Sequence, residues 1–416
     1  MMVYPRYFVV LPFLLCVLFS RVFAQQSAVQ TSSSVYHGVE TAQAREIIRT
    51  WYNEASDDLK EEYQVKQTES GKVRHGWYRI FYDNGRLWQE GQYENGELEG
   101  LWKIYYQNGI LRQKISFVNG RKVGLFETYY HTNSQIKEIG TFLFDKVHGE
   151  VKIYYENGKL QELAYYEQGA LNGEVLDYYE DGRLMQKVYY KEGKIEGPWE
   201  KYYANGFIKE RSYKIGDQYE GLFIGYYKDH DDGTKHKECY YKNGVLNGTY
   251  KGFHPNGELE MVCHYIEGKI EGKYQGFYLD GALYEEGFYE NGEKVGIWTA
   301  FHPNGEKYLA GEYKNRLFEG EWKAWHENGQ LKQIGSFHNG NSEGYWVFYY
   351  DNGKMKKEGN YALDRAEGLW KQYYPEGGLQ IEAEYLHGVL HGVKKIYLPD
   401  GSLQSEERYE NGALIP

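Results

Sequence analysis

The chain is poor in basic charge and in cysteine, and its one long apolar run is too short to cross a membrane as a helix. Lys and Arg number 48 against 60 Asp and Glu, a formal net charge of −12 over 416 residues. Nucleic acid and anionic lipid both select clusters of Lys and Arg, and the sequence has none, so neither class of partner fits. The apolar stretch at residues 7–19 falls short of the roughly 20 residues that a spanning helix needs. Zinc-ligand spacings, a P-loop and a dinucleotide fingerprint are all missing, so the sequence supports no metal, no cofactor and no catalytic constellation. What it has in abundance is Tyr and Gly, 45 and 50 residues, within a 41% hydrophobic composition. Tyr favours strands and Gly favours tight turns, which points to a β-rich chain with many reversals and enough apolar surface to fold.

Residues 1–24 read as a signal peptide. Arg6 opens a short basic start, the apolar stretch follows, and Val22-Phe23-Ala24 offers small residues for cleavage after Ala24. The alternative is a transmembrane anchor. Cleavage would leave an exported chain, soluble in the periplasm, at the cell surface or outside the cell. Residues 25–40 are polar and Ser-rich, a flexible leader. Across residues 41–59, Ala44, Ile47, Ile48, Trp51 and Ala55 recur at three and four residues. That spacing predicts an amphipathic capping helix whose apolar face needs a surface to cover.

Residues 60–412 are a repeat array. A Gly precedes each aromatic strand at Gly76, Gly100, Gly124, Gly149, Gly173, Gly197, Gly221, Gly248, Gly272, Gly296, Gly320, Gly344, Gly368 and Gly392, and eleven of the thirteen intervals are 24 residues. A fixed period of this length means units that bury their faces on their neighbours. In the unit at Gly100, Asn108-Gly109 and Asn119-Gly120 bracket two strands. Both read as type I′ hairpin turns, whose central residues need positive φ. Asp181-Gly182, Asp280-Gly281 and Asp400-Gly401 fill the first-turn position elsewhere. The expected fold is all-β: a long single-layer antiparallel meander of about fourteen hairpins, each advancing it by roughly 10 Å.

Counting back from the first turn places Tyr106 opposite Leu111, Ile104 opposite Gln113 and Trp102 opposite Ile115, on one core face with Phe117. In the unit at Gly320 the same register sets Trp322 opposite Gly335, with the indole expected to cover that glycine. The other face carries Leu101, Lys103, Tyr105, Arg112, Lys114 and Ser116. Its aromatic position is filled in all fourteen units, by Phe81, Tyr105, Tyr129, Tyr154, Tyr178, Tyr202, Tyr226, Phe253, Phe277, Phe301, Trp325, Tyr349, Tyr373 and Tyr397. This stripe, expected to be exposed, is the candidate binding surface.

Units such as Gly296-IWTAFHPNGEKYLAGEYKN and Gly344-YWVFYYDNGKMKKEGNYAL resemble the MORN-repeat variant. They are similar above all to bacterial proteins labelled as a MORN-repeat family of toxin–antitoxin antitoxins. The resemblance implies a protein-interaction scaffold, sometimes in contact with phospholipid, and a protein partner that an antitoxin-like chain would neutralise.

Three chemical motifs have plainer explanations. Gly340-Asn341-Ser342-Glu343-Gly344 matches a hydrolase nucleophile elbow but falls in a repeat turn, not between a strand and a helix. His254, His302 and His326 stand in for the second Tyr of a Tyr-Tyr pair, in units too far apart to share a metal. Residues 229–233 collect Asp at a hairpin tip without the spacing of a calcium loop. Cys239 and Cys263 hold one equivalent position in adjacent units, a separation too wide for a disulfide, so both are expected as buried free thiols. Two functions stay open: a non-enzymatic scaffold binding a protein, or recognition of a cell-wall or extracellular glycan by stacking sugars on the aromatic stripe.

Overall fold

The computed structural model describes residues 45–52, 58–228 and 233–416. They form thirty-four strands in one antiparallel sheet. Strands pair in sequence order, from Glu46–Trp51 on Leu59–Thr68 to Leu403–Glu410 on Ala413–Ile415, except that the short strands Lys146–Val147, Ala170–Leu171 and Gln218–Tyr219 pair only with the strand before them, which also pairs with the one after. The meander expected from the period is the fold. The signal peptide, the leader and the Asp-rich tip at residues 229–232 lie outside the described residues.

The capping helix is replaced by a strand. Glu46–Trp51 is extended and pairs Ile48 with Tyr63 and Thr50 with Glu61. Ile48 and Thr50 are half-buried while Ile47, Arg49 and Trp51 are exposed, an alternation of period two. Trp51-Tyr52 is the same aromatic pair as Phe81-Tyr82, so the array begins before residue 60. A β-branched run beside an open sheet edge gains a full ladder of backbone bonds, which outweighs the weak helical periodicity.

The two Asn-Gly turns differ in kind. Asn119 and Gly120 both have positive φ (49° and 74°), and Val118 pairs with Arg121, so this is a two-residue type I′ loop. At the other turn only Gly109 is left-handed; its N–H donates to Tyr106 O, and Tyr106 N–H donates to Ile110 O. That is a three-residue loop, a type I turn closed by a glycine bulge. Asn108 is there for its side chain: Oδ1 accepts from Ile110 N–H at 3.0 Å while Nδ2 donates to His131 O of the next unit at 2.9 Å. The bulge shifts the register by one, so Leu111 pairs with Tyr105 rather than Tyr106. Trp102 with Ile115 and Ile104 with Gln113 pair as expected.

Between units the ladder breaks again. Glu90 pairs with Lys103 and Gln92 with Glu99, which leaves Gly91 alone against three residues, Gly100, Leu101 and Trp102. Gly100 has φ +67°, and every anchor glycine is likewise left-handed. A side chain there would strain the backbone, which explains why the anchor never varies. This offset decides the core. A Cβ at Gly335 would lie 2.0 Å from Trp346 Cδ2, so the indole covering that glycine comes from the next unit, not from Trp322, its partner in the ladder. Gly91 with Trp102, Gly287 with Trp298, Gly311 with Trp322 and Gly359 with Trp370 repeat the seam. Trp102 is 1% exposed, and its Nε1 donates to Gln92 O at 3.1 Å.

Candidate functional site

The face opposite the indoles is the candidate surface, and it has three parallel rows. The central row is charged where opposite charges meet across strands, as in Lys114 with Glu127 at 2.9 Å and Lys371 with Glu382 at 3.7 Å. To one side runs the fourteen-residue aromatic stripe. Its rings are half-buried or buried, with Tyr129 and Tyr226 each at 9% exposure, which corrects the expectation of exposed rings. Several of its tyrosines bond glutamates of the charged row. Tyr105 Oη donates to Glu90 Oε1 at 2.9 Å, Tyr202 Oη to Glu200 Oε2 at 2.7 Å and Tyr373 Oη to Glu358 Oε1 at 2.6 Å, which folds the rings over the charged row. Burial, and then the Glu90 carboxylate, push the Tyr105 phenol up to about 12.

The stripe also carries the join between units. The second aromatic of each pair donates from its side chain to the backbone carbonyl of the stripe residue one unit on: Tyr106 to Tyr129 O at 3.0 Å, Tyr179 to Tyr202 O at 2.9 Å, Tyr350 to Tyr373 O at 2.8 Å. Tyr52 does the same to Phe81 O at 2.6 Å. His254, His302 and His326 substitute in this ladder, each placing Nε2 3.0–3.1 Å from the carbonyls of Phe277, Trp325 and Tyr349. A carbonyl only accepts, so Nε2 carries the hydrogen. Their presence in place of Tyr is thus explained by reach and donor chemistry. Ser342 sits within the strand Asn341–Tyr349, and its N–H donates to Asp364 Oδ1 at 2.6 Å. Glu343 Oε2 accepts from Leu363 N–H at 3.1 Å, the contact that Glu99 makes with Asn119 N–H. Cys239 and Cys263 are buried free thiols on either side of the strand bearing Tyr250, which pairs with both. Burial pushes the Cys263 thiol up to about 11.

The third row is the exposed one. It follows the anchor glycine or faces the residue that does, and it includes Leu101, Leu125, Tyr165, Tyr189, Tyr213, Leu222, Tyr240, Phe288, Ile297, Tyr345 and Leu369. Sequence alternation assigned Leu101 to this side without marking it as the accessible position. The legible signal was the anchor itself, since a residue beside a left-handed glycine at a bulge is lifted away from the next strand. Among the described residues no three metal-ligating side chains come together, and no helix is long and apolar enough to cross a membrane.

These features define an array of β-hairpins, each unit held by its neighbours through an indole seam and a phenol ladder. The family model described as MORN repeat variant matches residues 74–95, 98–119, 147–168, 171–192, 246–267, 270–291, 294–315, 318–339, 342–362, 366–387 and 390–411, more than half of the chain, which therefore belongs to that family. It is a repeat scaffold of the kind that serves protein interaction. None of the curated proteins matches it. Among solved structures it is similar to TcdB2-TccC3-Cdc42, at 10% identity and a TM-score of 0.13 over 82% of this chain and 24% of that one. The Photorhabdus luminescens Tc holotoxin pore is similar at 11% identity and a TM-score of 0.13, over 85% of this chain and 27% of that one. The chain thus spans about a quarter of the length of either.

Proposed function

We propose that this chain is an exported, non-enzymatic scaffold that binds a protein partner along the exposed row of its outer face. The observation that carries the reading is that row: a large apolar side chain stands solvent-exposed in most units, beside charges already paired with one another. Apolar side chains repeated along one face of an array are what a protein partner buries. Export is supported by the apolar stretch and the Ala24 cleavage position. Antitoxin-like neutralisation is one form that such binding takes. Glycan stacking on the aromatic stripe has less support, because half-buried rings leave little free face for a sugar.

The test is crosslinking capture from the exported fraction, followed by reconstitution with the purified captured protein. Changing Leu101, Leu125, Ile297 and Leu369 to Ser is expected to lower reconstituted binding at least tenfold with an unchanged melting temperature. Binding that survives all four changes would move the interface off this row.

A further inference from the structure

Four consecutive units carry a tyrosine at one and the same place in the exposed row: Tyr165, Tyr189, Tyr213 and Tyr240, all between 40% and 46% exposed. Each stands in the second strand of its hairpin, on the side where the ladder breaks toward the next unit; Val188 pairs with Trp199 and Tyr190 with Ile195, skipping Tyr189. A Cβ on Gly197 would lie 2.7 Å from Tyr189 Cβ, and one on Gly248 would lie 3.0 Å from Tyr240 Cβ, so only glycine lets the next strand pass under these rings. Shallow grooves lie beside two of the rings, Tyr189 and Tyr213. One of about 540 Å³ is lined by Pro198, Arg211, Tyr213 and Leu222.

The charges around these grooves are already satisfied within the sheet. Glu174 pairs with Lys187 at 3.4 Å, Glu200 with Arg211 at 3.2 Å and Glu238 with Lys235 at 2.6 Å. Glu220, which also lines the groove beside Tyr213, accepts from Asn243 N–H at 2.7 Å. With its carboxylates paired or hydrogen-bonded within the sheet, the patch complements an uncharged occupant better than a charged one. The spacing selects further. Successive tyrosines are two strands apart, about 9.6 Å. A polyproline II helix repeats its side chains every three residues at about 3.1 Å each, about 9.3 Å per turn. Its proline rings would seat between the phenols, and its unpaired carbonyls would accept from the phenol hydroxyls. We propose that Tyr165, Tyr189, Tyr213 and Tyr240 form a docking strip for an uncharged proline-rich segment of the partner protein, in polyproline II conformation. This rests on the scaffold reading and names the chemistry of the partner.

The test uses the whole chain and a fluorescein-labelled polyproline peptide of about twelve residues, long enough to cross four units. Fluorescence anisotropy should show saturable binding. It should weaken at least tenfold for a Y189S/Y213S variant and stay within twofold for an L279S variant, which changes an exposed side chain at a turn outside the row. Tyr189→Phe, which keeps the ring, should retain most of the affinity and guards against a folding defect in the double variant. A Gly-Ser peptide of equal length should not bind. The proposal is overturned if polyproline fails to bind the intact chain, or binds the Y189S/Y213S variant equally well. It is equally overturned if a neutral β-linked oligosaccharide binds these tyrosines and polyproline does not. Loss of polyproline binding with retained capture of a protein partner would sink this inference alone; loss of both would sink the scaffold reading with it.

Discussion

The seam between units is built in two ways, and the difference shows what the seam requires. Toward the C-terminus Gly287, Gly311, Gly335 and Gly359 take the indoles of Trp298, Trp322, Trp346 and Trp370. Through the middle of the chain the same two positions read Ile115 and Phe126, Ala164 and Val175, Ser212 and Phe223, Cys239 and Tyr250. A large ring meets no side chain at all, whereas a smaller one meets a modest one. The space is filled by different partners from unit to unit, since at Gly140 it is taken by the Phe126 ring and Val151 together. Trp199 is the exception within that middle stretch: its neighbour is Val188, and its Nε1 turns to Gln186 Oε1 at 3.2 Å instead of reaching a backbone carbonyl. The middle region also carries the four exposed tyrosines, and on its inner face Glu162 paired with Asp177, with Glu138 beyond the intervening Ile153. Its packing is less uniform, and its surface is the more distinctive.

If volume governs the seam, exchanging one solution for the other should work only in pairs. Gly335→Ile places a side chain where the Trp346 indole lies and should cost about 3 kcal/mol, since its backbone accepts any residue but the space does not. Adding Trp346→Phe, to mimic Ile115 with Phe126, should recover at least half of that loss in urea denaturation. A double variant no more stable than Gly335→Ile alone would break the comparison.

The phenol ladder, by contrast, should be indifferent to region and to size. Tyr350→Phe leaves Tyr373 O without its donor and should cost about 1 kcal/mol. Tyr350→His should restore much of it, because His326 already makes the same contact with Tyr349 O. Equal losses from Phe and His would remove the hydrogen bond as the reason histidine is accepted there.

The smallest effect belongs to the carboxylates of the middle region. Burial, then the charges of Asp177 and Glu138, hold the Glu162 carboxyl above its usual range. A folded-state value raised above the unfolded one means that the folded chain keeps the proton longer. Glu162 therefore contributes stability that is fully present below the ordinary carboxylate range and is lost as pH rises through its folded value. Glu162→Gln should stabilise the chain slightly at neutral pH and flatten this part of the pH profile. A variant less stable than the parent at pH 7 would show that the carboxylate makes a favourable contact.

The N-terminal strand shows where the sequence misled. Ile47, Ile48 and Trp51 suit a helix by spacing, and a wider separation in sequence hides the Trp51-Tyr52 pair: Tyr52 N–H reaches Asp58 O, whereas Tyr106 N–H needs only Ile110 O. The pair was legible as a repeat unit only against Phe81-Tyr82. The candidate surface was legible in part. The face was assigned as the structure has it, but the exposure of the stripe was not, because alternation along a strand says which side a residue takes and not how far the neighbouring unit covers it.

The sequence by itself determined the period and the pairing of Trp102 with Ile115 or Trp322 with Gly335. These follow from chemistry within one unit: alternation along a strand, and glycine where φ must be positive. Only the tertiary structure decided that Trp346 covers Gly335, that the stripe tyrosines fold down onto glutamates, and that Tyr165, Tyr189, Tyr213 and Tyr240 stand clear. Those outcomes depend on the bulge between units and on contacts about one repeat apart, where the offset of one strand on the next sets which side chain lies over which.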